Sequence, residues 1–313
     1  MLNIGVVGIG AIAQKAYLPV MRSIGNVKWY MCTRNVEVLQ RESKLLGRCI
    51  PCSSVEELLQ FDLDGVMIHV STKAHVEVAK QFLEKGIPVY LDKPIAPSYE
   101  ETLELYRLAK ENQTFLTAGF NRRFAPKVVE LKNVPHKKRI ITEKNCTIPS
   151  FDNRTRIFDV FIHPLDTALF LMDEKPKRGS FYYKKNCGVI EQCTIYLENE
   201  EQSAVVMMNT VSGANLERIE VQAETGTFSL QNLTDLTIYQ GGEEIKDHFS
   251  SWDSTLYKRG FESIVHSFII AVQTQGDNPV TPISSLLSHF ICERLAHAKA
   301  SEGFLSFDVE TDE

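Results

Sequence analysis

The sequence has no apolar run long enough to span a bilayer, and its opening residues MLNIGVVGIG carry neither a basic stretch nor a cleavage site. Neither anchoring nor export is expected, and a cytoplasmic protein with no membrane partner is. Basic charge is not in excess either: 34 Lys and Arg stand against 40 Asp and Glu, a net of −6. That balance argues against a phosphate-coating surface and so against nucleic acid as a partner. The seven cysteines are odd in number and scattered, which excludes a disulfide framework and reads as reduced thiols. Cys49 and Cys52 form a lone CxxC, whereas a four-thiolate zinc site needs a second pair nearby; the pair is read as structural and no metal is expected. Internal repeats and low-complexity segments are absent.

The chain does have an ordinary globular balance of 43% apolar and 24% charged residues over 313 positions, enough for two medium domains. The first 120 residues alternate short apolar runs with amphipathic stretches, the pattern of a parallel sheet with crossover helices. Residues 2–8, 28–32, 65–70, 88–91 and 115–119 read as strands; residues 36–46, 53–60, 75–85 and 98–111 read as helices, with Ser53 and Glu56 as a capping box. After Asn121 the rhythm changes. Residues 187–197, 203–211, 217–223 and 236–239 alternate as antiparallel strands with one solvated face, followed by helices over about 260–275 and 284–301. The charged stretch from His136 to Lys144 reads as a solvated connection or sheet edge. The expected architecture is α/β, with a doubly wound parallel sheet of the Rossmann type over residues 1–120. An α+β domain with a mostly antiparallel open sheet occupies 121–313, and its C-terminal helices could return to the first domain.

The sharpest local signal is an apolar strand followed by Gly8-Ile9-Gly10-Ala11-Ile12-Ala13. Gly8 allows a tight turn, Gly10 lets a pyrophosphate approach the backbone, and Ala13 lets helix and strand pack closely, which together describe a dinucleotide site. At the end of the second strand, where an acid would grip the 2'-hydroxyl of NAD, Thr33 and Arg34 stand instead. A hydroxyl and a guanidinium suit a 2'-phosphate, so NADP is expected as cofactor, with NAD the second choice if Arg34 only faces solvent.

Tyr90-Leu91-Asp92-Lys93-Pro94 resembles the Glu-Lys-Pro motif of the Gfo/Idh/MocA oxidoreductases. The resemblance extends through His75, the segment Gly119 to Pro126, and Asp159, His163 and Asp166 in the family's Asp-xxx-His-xx-Asp order. It covers essentially the whole chain, and the MviM-like oxidoreductases are the nearest-looking subgroup. Asp92 departs from the commoner Glu, and Arg156-Ile157-Phe158 replaces glycines that often precede the aspartate. The resemblance implies a nucleotide site made by Gly8, Ile9, Gly10, Ala11, Ile12, Thr33, Arg34, Ser71, His75, Asp92 and Lys93. It implies a substrate site made by Lys93, Arg123, Asp159 and His163, and a homodimer or homotetramer formed through the C-terminal sheet.

Apart from the resemblance, spacings of four and seven place Asp159, His163 and Asp166 on one face of a helix, whose start Pro164 sets at about 159–163. Spacing alone favours Asp159 as a helix cap and His163 as a core histidine; the presence of Lys93 turns the reading toward a catalytic set. One histidine with two carboxylates is a poor metal site. The function expected is hydride transfer between nicotinamide and a carbinol or carbonyl carbon of a sugar, polyol or related small molecule. His163 would act as general acid or base, Lys93 would steady the oxygen, and Asp159 would bind substrate or set the histidine tautomer. The alternative is an NADP-binding regulator or sensor with little turnover.

Overall fold

A computed structural model describes residues 1–147 and 152–307. The chain divides into two compact units, one of Met1–Asn121 with Phe261–Pro282, the other of Arg122–Gly260 with the chain from Ile283 onward.

In the first unit six strands form a parallel sheet: β1 (Leu2–Val7), β2 (Val27–Cys32), β3 (Cys49–Cys52), β4 (Gly65–Ile68), β5 (Val89–Leu91) and β6 (Leu116–Ala118), in the order β3-β2-β1-β4-β5-β6. Val6 pairs with Met31 on one side and Met67 on the other. The short runs GVMI of β4 and VYL of β5 are buried throughout, as strands covered on both faces must be. Strand order reverses between β1 and β4, and at such a switch point the carboxyl ends of the strands open a ligand crevice. Crossover helices Val36–Leu46, Thr72–Leu83 and Tyr99–Glu111 cover the sheet; Asn35 and Ser98 cap the first and third by accepting from Val38 and Glu101 N–H. The helix Phe261–Thr274 also belongs to this unit. A Cβ on Gly65 would come within 3.2 Å of Val272 and 3.4 Å of Phe268, so the glycine is what lets that helix approach β4.

Two details differ from the sequence reading. The capping box sits one residue later, with Ser54 Oγ accepting from Glu57 N–H at 3.2 Å and Glu57 reaching back to Ser53 N–H at 2.6 Å. The CxxC is the edge strand β3 itself, and strand geometry separates thiols three apart onto opposite faces. Cys52 is fully buried and Cys49 half-buried, both are free thiols, and burial pushes Cys52 up to about 12.

In the second unit nine strands form a mostly antiparallel sheet: β7 (Lys137–Thr147), β8 (Arg178–Asn186), β9 (Val189–Glu198), β10 (Ser203–Asn209), β11 (Val211–Ala223), β12 (Gly226–Gln231), β13 (Asp235–Gln240), β14 (Glu243–Asp247) and β15 (Glu302–Ser306). Their order is β14-β13-β12-β11-β7-β10-β9-β8-β15, and only the β7–β10 pair among the described residues is parallel. The charged stretch expected as a connection or edge is therefore an interior strand, β7, between β10 and β11. Its pleat explains how: Ile140, Thr142 and Cys146 are buried on one face, while Arg139 and Glu143 stand on the other. Lys144 shares the buried face, where it meets Glu217 at 3.4 Å, and Lys137 is buried with its ammonium on the carbonyls of Lys132 and Val134 at 2.9 and 3.0 Å.

The helix bearing Asp159 and His163 begins earlier than Pro164 suggested. Asp152 caps Asn153–Thr155, residues Arg156–Phe161 wind as a π-helix, and Ile162–Leu171 continue as an α-helix. Proline lacks a donor and its ring crowds the carbonyl four residues back; widening the preceding turn to i→i+5 bonds removes that conflict. The first unit repeats the device, with a π-helix over Ala13–Tyr17 ahead of the helix Leu18–Ser23, which has Pro19 at its start. Among the described residues no helix is long and apolar enough to cross a membrane.

Candidate active-site elements

In the first unit a cleft at the carboxyl ends of β1, β2 and β4 is lined by Val7–Gly10, Cys32–Arg34, Val55, His69–Ser71, Ala74 and Val78. Gly8, Ile9, Gly10, Thr33, Arg34 and Ser71 are thus brought together, whereas Ala11 and Ile12 follow at the start of the helical segment and do not line it. Gly8 has φ +90°, and a Cβ there would lie 2.7 Å from Val70 N; any other residue would push β1 and β4 apart. Nothing stands within 4 Å of a Cβ built on Gly10, which leaves the backbone open to a close-fitting ligand. Arg34 is exposed at the rim. A glycine-lined turn with an unobstructed face and a cation where a 2'-phosphate would lie fits a dinucleotide.

Beside the cleft, Asp92 accepts hydrogen bonds from Tyr17 Oη and from His69 Nδ1, the latter at 2.9 Å, and Tyr90 Oη lies 2.9 Å from Tyr17 Oη. Tyr17 stacks on His69 with ring centroids 4.1 Å apart. Burial pushes the Asp92 carboxyl up, but His69, Tyr17 and His75 outweigh it and hold it below the usual range. The other ring nitrogen of His69, Nε2, is buried without a hydrogen-bond partner. Asp92 is thus bound into an aromatic network. Lys93 follows Asp92 at the end of β5, half-buried, and its bond to Pro94 is cis.

His75 has a different place from the one expected. Its side chain is 1% exposed, with Nδ1 2.9 Å from Pro94 O and Nε2 3.1 Å from Val70 O. It ties the loop after β5 to the loop after β4, and burial pushes its pKa down. It supports the site from below, which is a reason for a histidine here that needs no ligand contact.

In the second unit the expected trio separates. Asp159 is exposed, His163 is half-buried, and Asp166 is 1% exposed. Asp166 follows His163 by three residues in the same α-helix, yet it is enclosed where His163 is half-buried. Asp166 instead takes a two-pronged bond from Arg123, the Nε contact measuring 2.8 Å, and a third bond from Ser288 Oγ at 2.9 Å. Arg123 also donates to Ser284 Oγ at 2.6 Å and is 6% exposed. This corrects the placement of Arg123 at the substrate: its fork is closed on a buried carboxylate, where it holds the chain after Asn121 to the helices. Arg156, where glycines were expected, is also buried and reaches Ile190 O at 3.3 Å and Thr210 Oγ1.

The sequence reading passed over Arg122. Its Nη1 donates to His163 Nδ1 at 2.7 Å and its Nε donates to Glu217. Lys144 and Arg259 each approach Glu217 Oε2 at 3.4 Å. Burial pushes the Glu217 carboxyl up, but Arg122, Lys144 and Arg259 hold it far below the usual range. Because a guanidinium can only donate, His163 Nδ1 must accept, which leaves Nε2 to carry the hydrogen of the neutral ring. The tautomer is set by Arg122 rather than by Asp159. The signal in the sequence was the doubled Arg122-Arg123 in a short 3₁₀ turn, where adjacent side chains diverge to different partners. Among the described residues no group of three His, Cys, Asp or Glu is arranged to hold a metal.

Comparison with known proteins agrees with this geometry. Residues 2–120 match the Gfo/Idh/MocA model, described as an oxidoreductase family with an NAD-binding Rossmann fold. YceM of Salmonella typhimurium, a protein named as an oxidoreductase, is 28% identical over 96% of this chain and 99% of its own. The inositol 2-dehydrogenase of Rhizobium meliloti is 25% identical over 68% of this chain and 71% of its own. The crystal structure of the dehydrogenase MviM from Clostridium difficile superposes with a TM-score of 0.88 at 28% identity, covering 94% of this chain and 98% of that one. The cradle at Gly8 and Gly10, the reversal of strand order beside it and these likenesses agree: residues 2–120 carry the NAD-binding Rossmann fold of the Gfo/Idh/MocA oxidoreductase family, and the chain along most of its length is similar to solved members of that family.

Proposed function

We propose that the protein is a dehydrogenase or reductase that uses NADP, or secondarily NAD, to transfer hydride to or from a carbinol or carbonyl carbon of a sugar, polyol or related metabolite. The observation that carries the reading is the Gly8–Gly10 cradle, whose open face and cationic rim at Arg34 suit a dinucleotide. The likeness to an inositol 2-dehydrogenase supports the substrate class. When bound, the nicotinamide supplies or accepts the hydride.

The remaining chemistry belongs to this chain. Hydride departure needs the hydroxyl proton removed, and hydride arrival needs the carbonyl oxygen protonated. His163, with Nδ1 accepting from Arg122, donates from Nε2 to that oxygen and orients it, but in this tautomer it cannot take the proton. Proton transfer therefore falls to Lys93, whose charged form also stabilises the developing alkoxide. Asp159, exposed one turn before His163, binds a substrate hydroxyl. Assembly of copies through the open sheet belongs to the same reading: Tyr182, Tyr196 and Phe304 are exposed on neighbouring strands β8, β9 and β15, although Tyr183 is buried with its hydroxyl on Ala298 O.

The test is a scan of purified protein for changes in NADPH absorbance against aldoses, inositols, sugar acids and sugar phosphates, with their oxidised forms. Once a substrate is found, Lys93→Met should lower kcat by about 100-fold or more while nucleotide affinity stays at the parent value. His163→Gln, whose amide nitrogen replaces the Nε2 donor, should retain more activity than His163→Ala. Parent-level turnover in Lys93→Met would end the proposed role of Lys93, and nucleotide that never binds would end the whole reading.

A further inference from the structure

We propose that Arg122, Lys144 and Arg259, gathered around Glu217 beside His163, form an oxyanion subsite, so that the substrate carries a carboxylate or phosphate rather than being a neutral polyol. The inference deepens the oxidoreductase reading and rests on it for the role of His163; the subsite itself rests on the charges of the second unit.

Cross-strand pairing between β7 and β11 supplies an internal comparison. Glu143 opposes Arg218 and Lys144 opposes Glu217 in register. Because successive side chains alternate across the sheet, the two pairs face opposite ways. On the first face one cation meets one carboxylate, Arg218 and Glu143 at 3.4 Å. On the second face Glu217 is met by Arg122, Lys144 and Arg259 together. Leaving Arg259 to its other contacts, two cations still face one carboxylate; counting Asp159 as a second acid, three cations still exceed two. Both Glu217 oxygens already have donors, Oε1 from Arg122 and Oε2 from the other two.

Bringing like charges together out of water is costly unless a counter-charge joins them. Arg122 and Glu217 are nearly covered, with side chains 8% and 12% exposed, whereas Lys144 and Arg259 keep 20% and 34%. The open edge of the cluster is thus its cationic edge. Burial and the neighbouring Arg122 guanidinium push the Lys144 ammonium down, the response of a cation that one shared carboxylate does not fully compensate. Guanidinium forks and an ammonium beside a histidine suit the oxygens of a carboxylate or phosphate, through charge-assisted bonds that a neutral hydroxyl cannot match.

The experiment reads binding, not turnover. The full chain is titrated calorimetrically with D-gluconate, D-glucose 6-phosphate and myo-inositol at fixed ionic strength, with and without NADP. At least one anion should bind ten times more tightly than myo-inositol or better. Lys144→Gln should weaken that anion tenfold or more without changing myo-inositol, and Lys144→Arg should restore it. Preference for gluconate or for the phosphate identifies which oxyanion the subsite takes. Should Lys144→Gln fail to fold by circular dichroism, Arg259→Gln makes the same measurement. Anions that bind no better than myo-inositol, or whose affinity ignores loss of the cation, overturn the subsite. Failure to bind NADP with gluconate still bound would overturn the cofactor reading alone.

Discussion

Two buried carboxylates, one in each unit, are kept ionised by opposite means. Asp92 is surrounded by Tyr17, His69 and, further off, His75: hydroxyl and imidazole groups, with no guanidinium or ammonium among them. Glu217 is surrounded by Arg122, Lys144 and Arg259, so the charge it cancels is smaller than the charge that surrounds it. A carboxylate held by hydroxyl and imidazole groups closes a network upon itself. One held by several cations leaves the network short of negative charge, and that shortage is a capacity to bind.

The comparison breaks most visibly by deleting each carboxylate. Glu217→Leu takes from Arg122 and Lys144 the carboxylate that joins them, and removal of one member of a buried ion pair costs about 3–5 kcal/mol. Asp92→Leu takes the acceptor from the Tyr17 hydroxyl and from His69 Nδ1, at about 1–3 kcal/mol apiece before any rearrangement of the hydroxyl rotor. Chemical denaturation should therefore show the larger loss for Glu217→Leu. The reverse order would mean that the cations around Glu217 reach solvent freely and that the contrast between the two networks is false.

Acid sharpens the same contrast. The folded-state pKa of Glu217 is lowered from an ordinary 4.5, so the unfolded chain binds more protons once the pH falls below that value. The stabilisation is fully present above about pH 4.5 and drains away as the pH falls toward the folded value. Asp92 acts in the same direction from its ordinary 3.8. Glu217→Gln should be less stable than the parent at pH 7 and should lose less on going from pH 5 to pH 3, as measured by denaturant midpoints. Curves for parent and variant that run parallel would show that Glu217 does not carry this acid sensitivity.

How much of each region was legible follows from how far apart its partners lie in the chain. The first unit is written in local units: apolar runs for β1, β2, β4, β5 and β6, a glycine turn after β1, and a motif ending at Lys93. What escaped was β3, because Cys49-Ile50-Pro51-Cys52 holds a proline and no apolar run; its strand form comes from pairing with β2. The second unit is written in long-range pairs. β7 reads as a charge cluster because its charges find partners on distant strands, Glu143 with Arg218 and Lys144 with Glu217, while pairing on both sides hides its backbone. Arg122 lies 41 residues from His163 and 95 from Glu217, separations at which no spacing rule operates. The trio of Asp159, His163 and Asp166 was misjudged because helical spacing does not say which carboxylate a distant arginine takes: Arg123, 43 residues from Asp166, holds that one.

The smallest expected effect concerns the one cation that the first unit places toward its own cleft. Arg34 is exposed at the rim, so unlike the buried cluster around Glu217 it is solvated when the cleft is empty, and its substitution should leave stability within about 0.5 kcal/mol of the parent. Its contribution appears only against a 2'-phosphate, where one charge-assisted contact is worth roughly 1.5–3 kcal/mol, about tenfold or more in affinity. Arg34→Ala should therefore weaken NADP by that factor, leave NAD nearly unchanged, and make the NADP dissociation constant less sensitive to salt. Equal loss of both nucleotides would instead place the guanidinium on the adenine they share, and the cofactor preference would then have to be sought at Thr33 and the amides around it.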